Sequence, residues 1–225
     1  MLDPVTTSDG LSVVHLFCVT TPDTDDSVVV EVVEKAEAAG VQVVTVAVVG
    51  HKAELCFMAL HPDLWLLRDL QSGLGRAGLA VIDSFVSITE LSEYAANVPD
   101  EMKQMRLFPE LPPEGKSAWC FYPMTKRRNP DQNWYLLTFD QRMELMREHG
   151  TSGRKFAGRI VQLITASTGI DDWEWGVTLF GVKVDDLKDT VYTMRYDQAS
   201  AIYSEFGDFY MGMVGPVEEI MARIH

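Results

Sequence analysis

Three chemically distinct side chains alternate in Trp119-Cys120-Phe121-Tyr122-Pro123-Met124-Thr125-Lys126. In an extended strand, that alternation sends Cys120, Tyr122, Met124 and Lys126 to one face. A phenol, a thioether and an ammonium form an unusual mixture for a core. The face reads either as a reactive surface or as a sheet edge with a wet tyrosine hydroxyl. Pro123 is awkward inside a central strand, so the strand is expected to end or bend there. His149 closes an amphipathic helix just before Gly150, with Leu145 and Met146 as apolar neighbours. A histidine there serves either as a C-terminal cap favoured by the helix dipole or as a ligand to a flat hydrophobic cofactor. Gln162 interrupts the β-branched run Arg159–Ala166. A buried amide needs partners, which either its neighbours or a ligand must supply.

Other patterns carry less. There is no P-loop, no GxSxG and no HExxH. Gly73-Leu74-Gly75-Arg76-Ala77-Gly78 is formally a GxGxxG, but a helix runs into it and a strand runs out. The dinucleotide fingerprint needs the opposite order, so these glycines read as a helix stop and turn. Asp171, Asp172 and Glu174 fall where the chain reverses between two strands, and are expected to form a solvated turn.

The 225 residues hold 19 Lys+Arg against 33 Asp+Glu, a net charge of −14. That makes nucleic acid or an anionic membrane surface a poor partner. The excess of acid is concentrated in residues 1–105, which hold 16 acids and 5 bases. Residues 126–159 reverse the balance, with eight bases (Lys126, Arg127, Arg128, Arg142, Arg147, Arg154, Lys155 and Arg159) against four acids. Such an island is either a solvated helix face or a seat for an anionic small molecule. No run approaches the roughly 20 apolar residues of a membrane span, and the first ten residues lack a signal-peptide pattern. Three widely spaced cysteines, Cys18, Cys56 and Cys120, fit a reducing cytoplasm better than a disulfide framework or a zinc site.

The elements that must position these groups come in two similar sets. Strand Ser12–Val19 precedes a helix capped at Asp25 or Asp26 and ending near Gly40. Val41–Val49 and Ala53–Leu60 form a hairpin about Gly50-His51-Lys52. Pro62 opens a second helix, stopped by the glycines from Gly73, and Leu79–Leu91 returns as strand. The later set is strand Ser117–Met124, a helix capped at Thr138 or Asp140, strands Arg159–Ala166 and Trp173–Val182, a helix after Asp185-Asp186, and strand Phe209–Val214. Each set is βαββαβ, the ferredoxin-like unit. Phe108–Lys116, with three prolines and a glycine, connects them. We therefore expect an α+β chain of two ferredoxin-like halves, 1–105 and 106–225, and sheets packed against each other with helices outside. The amphipathic segment Val217–Ile224 is expected to cover an edge. In the second half, the helix crossing the sheet would set His149 and Gln162 across a gap, with Tyr122 and Lys126 bordering it.

At the level of motifs the second half resembles the coproheme decarboxylases of the chlorite dismutase-like superfamily. The similarity lies in Phe121-Tyr122-Pro123-Met124-Thr125-Lys126-Arg127-Arg128, Asn133-Trp134-Tyr135, His149-Gly150 and Gly153-Arg154. It extends through Asp171-Asp172-Trp173-Glu174-Trp175-Gly176-Val177-Thr178-Leu179-Phe180, Met194-Arg195-Tyr196-Asp197, Ser200-Ala201 and Glu205-Phe206-Gly207. Before residue 106 it is confined mainly to Glu90-Leu91-Ser92 and Tyr94.

What the resemblance implies is specific. His149 would be the proximal ligand of a haem iron, Gln162 would lie on the distal side, and Tyr122 would become the reactive radical. Lys126 would position or protonate the reacting propionate. Tyr94, Arg106, Arg195 and Ser200 would contact propionates, with Met124 and Trp134 beside the porphyrin. Coproheme would be both substrate and redox cofactor, hydrogen peroxide the oxidant, and two oxidative decarboxylations would yield protohaem (haem b), the last step of coproporphyrin-dependent haem synthesis. The resemblance also implies a dimeric α+β barrel with the haem in the half 106–225 and no cofactor in 1–105, and a cytoplasmic homopentamer that meets the enzyme supplying coproheme transiently. Two other activities stand beside it: a chlorite dismutase, for which a distal arginine is expected where Gln162 stands, and a haem-binding or haem-transfer protein without turnover.

Overall fold

The structure, a computed structural model, describes residues 2–95 and 98–224. The first half runs β1 (Ser12–Val19), α1 (Asp26–Ala38), β2 (Gln42–Val49), β3 (Leu55–His61), α2 (Leu64–Arg76) and β4 (Ala80–Thr89). A short helix, α3 (Asp100–Leu107), leads to the second half. There β5 (Ala118–Lys126), the small hairpin β6 (Arg128–Asn129) and β7 (Gln132–Asn133), α4 (Phe139–Arg154), β8 (Ile160–Ala166) and β9 (Trp175–Gly181) follow in turn. Then come α5 (Val184–Met194), α6 (Gln198–Ala201), β10 (Ser204–Phe206), β11 (Tyr210–Val214) and α7 (Val217–Ile224).

Within the first half the strands lie in the order β2-β3-β1-β4, and within the second β11-β5-β9-β8. Numbered inside each unit, both orders are the same, as two ferredoxin-like halves require. The halves join edge to edge, β4 to β8 and β11 to β2, and the β5–β9 pairing closes the eight strands into a barrel. The expectation of two stacked sheets is thereby refined, since closure removes the free edges that separate sheets would expose.

Strand alternation then divides the apolar residues. One buried cluster draws on every strand of the barrel, including Val13, Phe17, Val46, Met58, Phe85, Phe121, Leu163, Phe180 and Tyr210; this is the interior. A second packs α1, α2 and α7 onto the outer face of the first half, through Val29, Val33, Leu67, Leu70, Leu74, Ile220 and Met221. Each such side chain, fully buried, contributes about 1.5–3 kcal/mol. Segment Val217–Ile224 thus packs into this layer beside α1 rather than along a strand edge. The third cluster, under α5 in the second half, is much smaller: Ala118, Cys120, Tyr122, Val177, Leu179 and Leu187.

Local chemistry explains most boundaries. The Asp25 carboxylate accepts from the backbone N–H of Ser27 and Val28, capping α1. Thr138 and Gln141 form a reciprocal capping box at α4. The glycine motif is split in its use. Gly73 lies inside α2, where a Cβ would sit 2.7 Å from Val32, so it permits the close approach of α1. Gly78, at φ +90°, ends the helix turn. No phosphate cradle forms. Of the two outcomes expected at Pro123, an end or a bend, the strand does not end there. Its carbonyl accepts from Gly207 N–H, between the residues that pair with β11 and those that pair with β10. The edge its missing N–H faces is therefore the one place on β5 where that ladder is interrupted.

Candidate active site

Helix α4 continues five residues beyond His149, through Gly150 and Gly153 to Arg154. The first left-handed glycine after it is Gly158, at φ +81°. His149 is therefore a mid-helix side chain, not a terminal cap, and the cap reading is overturned. None of the residues of α4 is buried, whereas α1 and α2 each bury several. A Cβ at Gly153 would meet nothing within 4 Å, in contrast with the tight fit at Gly73. The helix that carries His149 thus stands off the sheet instead of packing into it. On β8, Gln162 is exposed and Ile164 is 45% exposed. The expected buried amide is in fact an open one, because nothing in the second half covers that stretch of the outer face.

His149 is nevertheless held firmly on one side. Its Nδ1 lies 3.0 Å from Asp197 Oδ2 and 3.4 Å from Ser200 Oγ. Asp197 is buried at 2% exposure and caps α6 by accepting Ser200 N–H at 2.9 Å. Burial alone would raise its carboxyl pKa. The bond and charge of His149, with the Ser200 bonds, outweigh that and hold it below the usual carboxylate range. With Nδ1 so engaged, Nε2 is the nitrogen left without a hydrogen bond among the described residues. This is the arrangement in which a carboxylate fixes the tautomer and orientation of a ligating imidazole.

Lys126 reaches the same cluster from the sheet. It is buried at 8% exposure, and Nζ donates to the Ala199 carbonyl at 2.9 Å and Ser204 Oγ at 3.0 Å. It sits 4.3 Å from the centre of the buried Trp134 ring, a cation–π contact. Burial lowers its pKa to about 8, against the opposing pull of Asp197 and Glu174. Tyr122 is buried four residues earlier on the same strand, stacked on Phe209 at 4.4 Å and edge-on to Phe206 at 5.8 Å. Burial raises its pKa, with Cys120 adding and Arg195 opposing. The Arg195 guanidinium lies 4.7 Å from the Phe206 ring centre. Met124 is half-buried and packs against this cluster.

The remaining expected residues are placed differently. Tyr94 stacks on Phe139 at the start of α4 and its hydroxyl accepts from Arg142 Nε at 3.0 Å; Arg142 also pairs with Glu93. Arg106 is exposed in the last turn of α3, and its side chain takes part in no hydrogen bond or ion pair among the described residues. Gln162 occupies the outer face of β8, in register with Leu179, which pairs with Cys120. It is two strands away from Tyr122. Glu174 corrects a sequence expectation: it is buried, not solvated, and accepts the Lys126 backbone N–H at 2.7 Å. Asp171 is likewise engaged, accepting Val86 N–H at 2.8 Å. Asp197 is a member of the cluster that sequence reasoning misses. The Asp197-x-x-Ser200 spacing, an N-cap signature, is the signal that locates it.

Among the described residues no group of three or more His, Cys, Asp or Glu is arranged to hold a metal ion. The unbonded Nε2 of His149 suits a metal that brings its other ligands with it. A model of the family described as chlorite dismutase matches residues 26–215. The chain belongs to the chlorite dismutase family. A relative, the coproheme decarboxylase of Staphylococcus carnosus (strain TM300), is 43% identical over 183 residues, covering 77% of this chain and 73% of the relative. A haem-binding protein from Thermus thermophilus superposes with a TM-score of 0.84 at 34% identity, covering 100% of this chain and 99% of the other. A chlorite dismutase variant from Candidatus Nitrospira defluvii superposes at 0.76 with 18% identity, covering 97% of each chain, and speaks for the fold alone. No helix among the described residues of this chlorite dismutase-family chain is long and apolar enough to cross a membrane.

Proposed function

We propose that this protein is a coproheme decarboxylase, converting two propionates of iron-coproporphyrin III to vinyl groups and so making haem b. The observation that carries the reading is the asymmetry of the two halves. The first half is covered by α1, α2 and α7 packed on its outer face, whereas α4 of the second half buries no residue and leaves His149 Nε2 without a hydrogen bond among the described residues. Haem-type binding by the relatives supports that placement.

The substrate, bound through its iron, would supply the oxidising equivalents once it meets hydrogen peroxide. The residues supply the rest. His149, oriented by Asp197, holds the macrocycle. Tyr122 gives a hydrogen atom from its phenol and takes one back from the β-carbon of a neighbouring propionate. The bond to the carboxylate then breaks, the vinyl group forms as carbon dioxide leaves, and the one electron released would be taken up by the second oxidising equivalent of the peroxide. Lys126 holds a proton beside the reacting carboxylate in a dry setting. Arg106, Tyr94, Arg195 and Ser200 meet propionates, Trp134 and Met124 border the ring, and Gln162 faces the open side. Four carboxylates on one ligand give the basic island a physical purpose, since charge-assisted bonds to guanidinium are among the strong ones. The three cysteines are free and buried, which suits a cytoplasmic setting. A homopentamer and a transient contact with the supplier of coproheme follow from family resemblance.

The test is mass spectrometry of porphyrin extracted after peroxide titration of the coproheme-loaded protein. Two successive losses of one carboxyl each support the reading. An intact coproheme would assign a carrier role instead. Sustained oxygen release from chlorite would assign the dismutase role, for which Gln162 offers no cation.

A further inference from the structure

Between α6 and β10 lies an open pocket of about 680 Å³, lined in part by Arg127, Arg195, Ser200, Glu205, Phe206 and Phe209. Two guanidinium groups against one carboxylate make it cationic. Arg127 is anchored through Nη1, which donates to Gln132 Oε1 at 2.9 Å and to the Ile202 carbonyl at 3.2 Å. Its Nε is buried and has no hydrogen-bond partner. Glu205 Oε1 forms an ion pair with that nitrogen at 3.4 Å, short of hydrogen-bond geometry. A buried donor without an acceptor is unfavourable unless something supplies one. Arg195 pairs with no carboxylate among the described residues, and lies over Phe206 and Phe209 instead. Those two rings are the ones packed on Tyr122. A carboxylate seated between the arginines would therefore be next to the reactive phenol.

We propose that Arg127, together with Arg195, holds the reacting carboxylate, and that Arg127 thereby sets the preference for the four-carboxylate substrate over its decarboxylated product. The proposal rests on the coproheme decarboxylase reading above. A planar guanidinium fork matches a carboxylate in geometry as well as charge. Once the carboxylate has left as carbon dioxide, the vinyl group that remains offers the guanidinium groups lining the pocket nothing to accept their protons. A site built to bond a polar group rejects the analogue that lacks it. Arg127 thus favours substrate entry and product departure through one residue.

The experiment titrates the apoprotein with coproheme and, separately, with protohaem, following quenching of the Trp134 and Trp173 fluorescence. Arg127→Gln should lose roughly ten- to a hundredfold in affinity for coproheme, the size of a lost charge-assisted bond, and no more than a few-fold for protohaem. Arg127→Lys keeps the charge without the fork and should fall between. Equal losses for both porphyrins, or no loss for either, would overturn the assignment. Should Arg127→Gln fail to fold by circular dichroism, Glu205→Gln provides the second arm. Removing the competing carboxylate should tighten coproheme relative to protohaem, and an unchanged ratio would again overturn it. A parent protein that decarboxylates coproheme while Arg127→Gln keeps the parental ratio rejects only the role of Arg127. A parent that binds neither porphyrin rejects the functional reading itself.

Discussion

His149 Nδ1 and Asp197 Oδ2 lie 3.0 Å apart, and the carboxylate is sealed from solvent while the imidazole is not. The contact joins α4 to α6 across 48 residues of sequence, so it fixes where a ligand must sit. Asp197→Asn keeps the shape but replaces a charged acceptor with a neutral one. Coproheme affinity should fall by roughly ten- to a hundredfold, the usual effect of losing such an outer partner. The iron–histidine stretch in resonance Raman should move to lower frequency. His149→Ala should lose that band altogether; its persistence would show ligation from elsewhere.

Tyr122 separates binding from chemistry. Its replacement by Phe removes one hydroxyl and leaves the stack on Phe209 intact. Tyr122→Phe should bind coproheme with the parental spectrum, consume peroxide, and yield almost no protohaem. Parental yields of both decarboxylated products would place the radical on another residue, with Trp134 and Tyr135 as candidates close in sequence.

Lys126 predicts the alkaline limb of activity. Burial holds its folded pKa at about 8, so the protonated form declines as pH rises through that value. Turnover that uses its proton should fall with a midpoint near pH 8, and Lys126→Arg should move the limb beyond the measurable range. For stability the sign is opposite. The unfolded chain, with an ordinary lysine pKa of about 10.4, binds more protons between the two values, so Lys126 makes folding more favourable as pH climbs through that window. Denaturant titrations at pH 7.5 and 9.5 in parent and Lys126→Met check this.

His15 predicts acid sensitivity. It is fully buried in the barrel interior among Phe17, Phe85, Trp119 and Phe121, with Nε2 3.1 Å from Thr178 Oγ1. Burial lowers its pKa to about 3. The unfolded chain takes up a proton near pH 6.5 that the folded one refuses, so stability falls as pH drops from there toward 3. At pH 7, His15→Leu should cost about 1 kcal/mol for the lost bond. Near pH 4.5 the difference should shrink or reverse, as read by thermal melting at the two pH values.

The sequence made the order of strands and helices plain because each is written in local chemistry: the Asp25 and Thr138 caps, the β-rich run Ser12–Val19, and the helix stop at Gly78. Barrel closure came from the family resemblance and not from the pattern of elements, since pairing of β4 with β8 depends on partners nearly eighty residues apart. The residues of the face that carries Tyr122, Met124 and Lys126 could be grouped from a period of two. The accompanying Asp197 and Glu174 could not, because a buried carboxylate looks like any turn acid until its donor is placed beside it. Gln162 erred the other way. Its apolar neighbours suggested burial, but burial depends on what lies above a strand, and above β8 there is no packed helix.

The two seams between the halves are unequal. β11 and β2 share four residue pairs, while β4 and β8 share only Ile88 with Ala166 and Thr89 with Thr165. Side chains reinforce the short seam, Ser87 to Thr165 and Asp171 to the Val86 amide, but few backbone amides are shielded there. Local opening of a folded protein begins where the fewest hydrogen bonds must break together. The strand bearing Gln162 therefore borders the barrel's weakest line, and its amides should exchange with deuterated solvent before those of β1 or β3, so the wall of the cavity can loosen while the frame behind it stays closed.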